Sequence, residues 1–374
     1  MKRVNLIAEL GITYKEDIIS NLLVALFNNS SYFRERFISK FLKVANPNEY
    51  KLTTFTRIHT SMGIPDIISV LEKDEECYLV IIENKLKADE GYKQTLRYAS
   101  EQCINELKEK LKIKQENVRV KLLFLTLVPE TIPTSPVFIN ISYEQLISEI
   151  PPEVEDVGLK LLYEDFSTKM HEFYEGLEVY DDDLLFDKFT EETEPERLKI
   201  RFRKLMDSIP LRGNELTRSP IGQVIGSGRV NYLVQFSKGS WKGEQSVKEN
   251  GKYIVGANTF DIHIESTFDV FNKTFTLPLH YETRPYLTKK KLENALGVDD
   301  YIRQRDEIKS IIHKKIKEQD DSIITPYNGS NQIANIKMNL TENTTIGDFK
   351  KQLTNGVEQI SNMVDAALEE WKQR

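Results

Sequence analysis

Residues 63–98, GIPDIISVLEKDEECYLVIIENKLKADEGYKQTLRY, decide how the first part of the chain reads. Two apolar runs rich in Ile, Val and Leu flank Lys73, Asp74, Glu75 and Glu76, the pattern of an antiparallel hairpin with a solvated reversal. The period-two rule puts Ile64, Asp66, Ile68 and Val70 on one face of the first strand. It puts Leu79, Ile81, Glu83 and Lys85 on one face of the second. A reversal symmetric about the Asp74–Glu75 bond sets Asp66 opposite Glu83. Directly opposed Cβ atoms lie about 4.5–5.5 Å apart, which suits two carboxylates sharing a divalent cation and is repulsive without one.

Acid-x-Lys triplets mean little by themselves in a chain that is 29% charged. Those at Glu106–Lys108, Glu307–Lys309 and Asp348–Lys350 lie in helix-like patterns, where residues two apart diverge. Glu83-Asn84-Lys85 instead ends an apolar strand, one hairpin after Pro65-Asp66, the sequence's single Pro-Asp. This combination resembles the PD-(D/E)XK nuclease superfamily. Gln94 and Tyr98 resemble the Gln-x-x-x-Tyr extension that members frequently carry on the next helix. The resemblance covers about the first 150 residues.

What the resemblance implies is an α/β fold class: a restriction-endonuclease-like core of mixed sheet flanked by helices, here followed by a second, α+β domain. It implies a Mg²⁺-dependent nuclease, with Mn²⁺ as substitute, in which Asp66, Glu83 and Lys85 are catalytic. Asp66 and Glu83 would hold the metal, the Asn84 carbonyl would add a backbone ligand, and Lys85 would orient the attacking water. Glu16 has two readings, a first-helix acid that reaches the metal or half of a capping box with Thr13. Gln94 and Tyr98 either touch substrate or Lys85, or form an exposed polar face. The expected partner is nucleic acid, DNA in first place, cut internally, in a cytoplasmic setting of restriction or phage defence. The competing class is a binding module that keeps the fold without catalysis, its second domain acting as sensor or as scaffold for a protein partner or a second copy.

A net charge of −7 looks wrong for a protein that handles nucleic acid, and its distribution changes that impression. Residues 1–150 carry 20 basic and 20 acidic side chains, residues 151–196 carry 3 and 16, and residues 197–374 carry 28 and 22. The division read from this is a nuclease domain over 1–150, an acidic helical linker over 151–196 and an α+β domain over 197–374 for nucleic-acid binding, sensing or partners. Arg201, Arg203 and Lys204, on a basic helix with Leu198, Phe202 and Leu205 on its apolar side, are the candidate phosphate contacts, with a solvated face as the bland alternative. Glu9 interrupts any apolar signal region after Lys2 and Arg3, and the longest apolar runs are strand-sized, so no membrane partner is expected. Cys77 and Cys103 lack metal-ligand spacing and read as buried free thiols.

Helical spacing marks residues 13–27, a second segment with Phe33, Phe37, Phe41 and Leu42, and a stripe of Leu96, Ala99, Cys103, Leu107 and Leu111 with Asp89 as its cap. Residues 50–60 alternate as a strand carrying Arg57 and His59. Arg119–Val128 and Val137–Ser142 read as further strands, and Leu162, Phe166, Met170, Phe173 and Leu177 as a helix. In the last domain Asn231–Phe236, Phe260–Glu265 and Thr274–Tyr281 alternate as strands, with Gly226-Ser227-Gly228 as a turn. A helical section runs from Lys289 to about Lys317. A terminal helix buries Phe349, Leu353, Ile360, Met363, Ala367 and Trp371.

Overall fold

The hairpin forms in the register that a symmetric reversal requires. In the computed structural model β2 (Ile67–Lys73) and β3 (Glu76–Lys85) pair antiparallel from Lys73↔Glu76 to Ile67↔Ile82, around a two-residue turn whose Asp74 has φ 48. The structure describes residues 3–87, 90–129, 131–187, 193–211, 215–219, 222–226, 229–269, 272–319 and 323–373. Asp89, Ser227, Gly228 and the acidic residues Glu191 and Glu192 lie outside them. Residue proximity divides the chain into two compact units, Met1–Leu177 and Glu178–Arg374. The segment 151–196 is thereby shared, its helix falling in the first unit and most of its acidic stretch in the second.

The first unit opens with α1 (Leu6–Glu9), α2 (Glu16–Asn29) and α3 (Ser31–Phe37), the last running into a π-helical turn, Ile38–Leu42. Ser30 ends α2 and caps α3 through its side chain. β1 (Lys51–Thr56) then pairs antiparallel with β2. After β3 come α4 (Gln94–Tyr98) and α5 (Glu101–Lys110), then β4 (Val118–Thr126) and β5 (Ile139–Ser142). Within the described residues the sheet order is β1-β2-β3-β4-β5, antiparallel up to β3 and parallel from β3 to β5. This is a mixed sheet flanked by helices. The unit closes with α6 (Tyr143–Glu149), started by a Ser142/Gln145 capping box, and α7 (Val157–Tyr174).

Period two gives the sheet two buried faces. Ile68, Val70, Leu79, Ile81, Leu122 and Phe124 form one, packed with Tyr98, Cys103 and Leu107 of α4 and α5. α2 packs from the other side against β1 and β3, burying Ile19, Leu22, Leu23 and Leu26. Cys77 and Cys103 are both buried and unbonded.

Four local expectations need correction. β1 stops at Thr56, because Arg57 takes φ 52 and its guanidinium turns to Asn21 and Asp17, so Arg57 and His59 lie in a loop. The Thr13/Glu16 capping box is absent; Lys15 is the N-cap of α2, with no side-chain cap bond, because Glu16 is drawn elsewhere. The helix expected through Leu96 and Leu111 breaks at Ser100, whose hydroxyl caps α5, and the break rotates α4 so that Tyr98 is buried and Leu96 exposed. Ile64 is exposed and precedes β2 rather than sharing its face.

The second unit begins with α8 (Pro195–Asp207), followed by β6 (Thr217–Arg218), β7 (Gly222–Gly226) and β8 (Arg229–Ser237). A small hairpin of β9 (Val247–Glu249) and β10 (Lys252–Ile254) precedes the long strands β11 (Asp261–Asp269) and β12 (Thr274–Glu282). The helical section from Lys289 consists of α9 (Lys289–Glu293) and α10 (Val298–Lys317), with Gly297 at φ 77 between them. β13 (Ile324–Pro326), β14 (Gln332–Ile336) and the terminal helix α11 (Ile346–Lys372) complete it. Its sheet runs β13-β14-β12-β11-β8-β6, with β7 also paired to β8. Phe236, Ile264 and Leu279 of the sheet pack with Phe202 of α8, Ile312 of α10 and Leu353 of α11. Among the described residues no helix is long and apolar enough to cross a membrane.

Candidate active site

One step beyond the last hairpin pair, Ile67↔Ile82, the register brings Asp66 beside Glu83. Asp66 Oδ2 accepts the Asn84 N–H at 2.8 Å, which fixes this carboxyl to the end of β3. N–H and C=O of one strand residue leave on the same edge, so the Asn84 carbonyl also faces the Asp66 side. The approach to Asp66 is held by Tyr98, whose OH accepts from Ile64 N at 3.2 Å and from Gln94 Nε2 at 3.0 Å. Gly63 makes that close passage with φ +133, and a Cβ there would stand 2.8 Å from Tyr98 Cε1. Gln94 and Tyr98 therefore form no exposed polar face. Tyr98 is buried and positions the segment that delivers Asp66.

Glu83 is 0% exposed, and neither of its carboxyl oxygens has a hydrogen-bond partner. Lys85 Nζ stands 2.8 Å from Glu83 Oε1, close enough for a strong ion pair although off the direction of a hydrogen bond. Burial, followed by the charge of Asp66, pushes the Glu83 carboxyl up to about 8. Burial also raises Asp66, opposed by the Asn84 N–H and by Lys85. Burial works against the Lys85 ammonium, but Glu83, Asp66 and Glu16 outweigh it and hold its pKa above the ordinary lysine value. By themselves the two carboxyls thus keep a proton at neutral pH while Lys85 stays charged.

Glu16 reaches this strand end from α2. Its Oε1 accepts the Leu86 N–H at 2.9 Å, and its Oε2 lies 3.8 Å from Lys85 Nζ. Asn84 points to the opposite face from Glu83 and is fully buried there. Its amide donates to Ser20 Oγ at 3.0 Å and to the Glu16 carbonyl at 3.3 Å, and its Oδ1 accepts from Tyr143 OH at 2.8 Å. The middle residue of the triplet, unremarkable in the sequence, is thus an anchor that sets the pitch of β3 between Glu83 and Lys85. Sequence reasoning missed Ser20 and Tyr143. Ser20 had a signal, since it follows Glu16 by four and shares its helix face; Tyr143 had none.

Among the described residues no three His, Cys, Asp or Glu side chains form a group that could hold a metal ion. The donor set that fits one is smaller: the buried carboxyl of Glu83, the half-buried carboxyl of Asp66 and a backbone carbonyl on the same strand edge. All are hard oxygen donors, which suits a cation such as Mg²⁺ that keeps several waters.

The other candidates lie elsewhere. His59 is an exposed loop residue whose carbonyl accepts from Lys110. Arg201 is 1% exposed, its guanidinium held by the Glu178 carbonyl and by Asp183 at 3.3 Å, so it is committed to the interior of the second unit rather than to phosphate. Arg203 pairs with Asp207 at 2.6 Å, and Lys204 with Glu178. No protein-family model, curated protein or solved structure matches the chain.

Proposed function

We propose that the first unit is a Mg²⁺-dependent phosphodiesterase of nucleic acid with a restriction-endonuclease-like core, a DNA endonuclease in first place. The observation that carries this reading is Glu83, a fully buried carboxyl held beside a second carboxyl, with the charged Lys85 ammonium 2.8 Å from its Oε1. A packed interior has no use for such an arrangement, since burying charge is costly and two neighbouring carboxyls repel. It becomes intelligible as a ligand pair.

Asp66, Glu83 and the Asn84 carbonyl would hold the ion. The chemistry it supplies when bound is polarisation of a phosphate oxygen and acidification of water. Lys85 keeps its proton, so it acts as a hydrogen-bond donor and a positive charge: it orients the water for in-line attack and stabilises charge developing on the phosphorane. Glu16, tied to Leu86 N–H, keeps the ammonium from swinging away. A setting in restriction or phage defence follows from the family resemblance.

The competing reading, a binding module without catalysis, is separated by one assay. Plasmid, linear single strand and RNA are each incubated with Mg²⁺, Mn²⁺ or EDTA. Cleavage with either ion, none in EDTA and none by Glu83→Ala is the expected outcome. Intact substrates under every condition would refute the catalytic reading.

A further inference from the structure

Two tyrosine–lysine pairs lie in the segments next to the strand end that carries Glu83 and Lys85, one just ahead of α2 and just past β3, the other leading into α4. On the α2 side, Lys87 Nζ lies 4.0 Å from the ring centroid of Tyr14. This pair belongs to the site's own framework: Tyr14 precedes Glu16 by two residues, Lys87 follows Lys85 by two, and the Glu16–Leu86 hydrogen bond ties the two segments together. On the α4 side, Tyr92 is 83% exposed, with Lys93 Nζ 5.4 Å from its ring centroid. Its turn is fixed by Gly91 N–H donating to Gln94 Oε1 at 3.1 Å and Gln94 N–H donating to the Gly91 carbonyl at 3.0 Å. Gln94 in turn meets Tyr98, whose hydroxyl feels the charges of Glu83 and Asp66.

Scattered exposed aromatics need no explanation. Here the exposed ring sits on a braced turn, joined through the Gln94–Tyr98 hydrogen bond to Ile64, two residues before Asp66, with an ammonium beside it. An aromatic face offers stacking to an unstacked base, and an adjacent ammonium offers a counter-charge to the phosphate that follows. Paired bases in a duplex already stack on one another and present only their edges in the grooves.

From this arrangement we infer that the site takes an unpaired nucleic-acid strand, one base stacking on Tyr92 while the backbone passes between Lys93 and Lys87 to the carboxyl pair. The inference rests on the phosphodiesterase reading for what happens to the strand, and on Tyr92 for how it is held. Tyr92 is a substrate-binding residue in this account and takes no part in bond breaking.

The test is binding, read by fluorescence anisotropy with Ca²⁺ as the ion, a hard cation with the same preference for oxygen ligands. The probes are a labelled oligothymidylate, its duplex with oligoadenylate, and the same length of abasic strand. Wild type binds the oligothymidylate more tightly than the duplex. Tyr92→Ala weakens oligothymidylate binding about 5- to 100-fold, the loss of one base–aromatic stack. Tyr92→Phe retains the tight binding, and Tyr92→Ala costs nothing on the abasic strand. Tyr180→Ala, at another exposed tyrosine, leaves all three affinities in place. Equal affinity for strand and duplex, or wild-type binding by Tyr92→Ala, overturns the inference. Tyr92-dependent binding in a protein that cleaves nothing would sink the catalytic reading and leave this one standing; equal cleavage of duplex and strand without dependence on Tyr92 would do the reverse.

Discussion

Replacing Glu83 with Gln removes a charge and keeps the side chain's shape, and the structure sets the sign and size of the effect. Without metal the carboxyl titrates at about 8, against an ordinary value of 4.5. A carboxyl raised in this way favours folding when protonated. It costs nothing below the unfolded pKa, costs progressively more as pH rises through the window from 4.5 to about 8, and reaches its full cost above. At 1.36 kcal/mol per pH unit the cost is about 3 kcal/mol at pH 7 and approaches about 5 kcal/mol in alkali. Glu83→Gln escapes this cost, while Lys85 keeps Asp66 and Glu16 as partners. Allowing about 1 kcal/mol for imperfect satisfaction of the amide leaves a gain of about 2 kcal/mol at pH 7. For a unit of this size that is about 4–8 °C in Tm. The assay is a set of thermal melts of both proteins in EDTA between about pH 5 and pH 8.5. The gap in favour of the variant should be small at the acid end and widen with pH. Excess Mg²⁺ should reverse the order, since an ion that binds the folded wild type stabilises it by mass action. A gap that does not widen with pH refutes the buried-pair argument, and equal Mg²⁺ shifts in the two proteins remove Glu83 from the ion.

The remaining predictions concern what surrounds that pair. Asp66→Ala and Lys85→Ala should each lower the cleavage rate by at least about 10²-fold with unchanged circular dichroism, whereas Glu307→Ala, in a helical acid-x-Lys triplet, should cleave as wild type. Tyr143→Phe leaves Asn84 Oδ1 without its buried donor and should cost about 1–2 kcal/mol in urea unfolding; a cost near zero would mean the network is not holding β3. Gly63→Ala places a Cβ 2.8 Å from Tyr98 Cε1 at φ +133 and should destabilise by about 1–3 kcal/mol, read as a lower urea midpoint. Arg201→Met should lower the stability of the second unit by about 2 kcal/mol and leave nucleic-acid affinity alone; a loss of affinity in a folded variant would return Arg201 to the phosphate contacts.

The hairpin and its pairing of Asp66 with Glu83 were legible in the sequence because they depend on short-range rules. A polar reversal between two apolar strands pins the register, and period two then assigns every side chain to a face. The segments that became strands were also legible as apolar runs of ordinary length, while the mixed sheet was an implication of the family resemblance and its strand order came from the structure. The acid-x-Lys triplets in helices could be set aside by the same reasoning.

Tertiary structure decided what long-range contact controls. Asn84 is an anchor because Tyr143, 59 positions away, donates to it, and no local pattern encodes that distance. Glu16 gave up its capping role because the Leu86 N–H and Lys85 drew it to the strand end. The phase of α4 turned on the Ser100 cap and on Tyr98 filling the sheet face beside Gly63, so Leu96 was left outside. Arg201 looks in sequence like its basic neighbours and is buried because one face of α8 packs inward, whatever its charge. The sequence by itself determined which residues alternate and where the chain reverses, since backbone geometry repeats every two or 3.6 residues. Which polar groups meet in the interior was left to packing, because a buried donor takes whatever acceptor the fold brings to it.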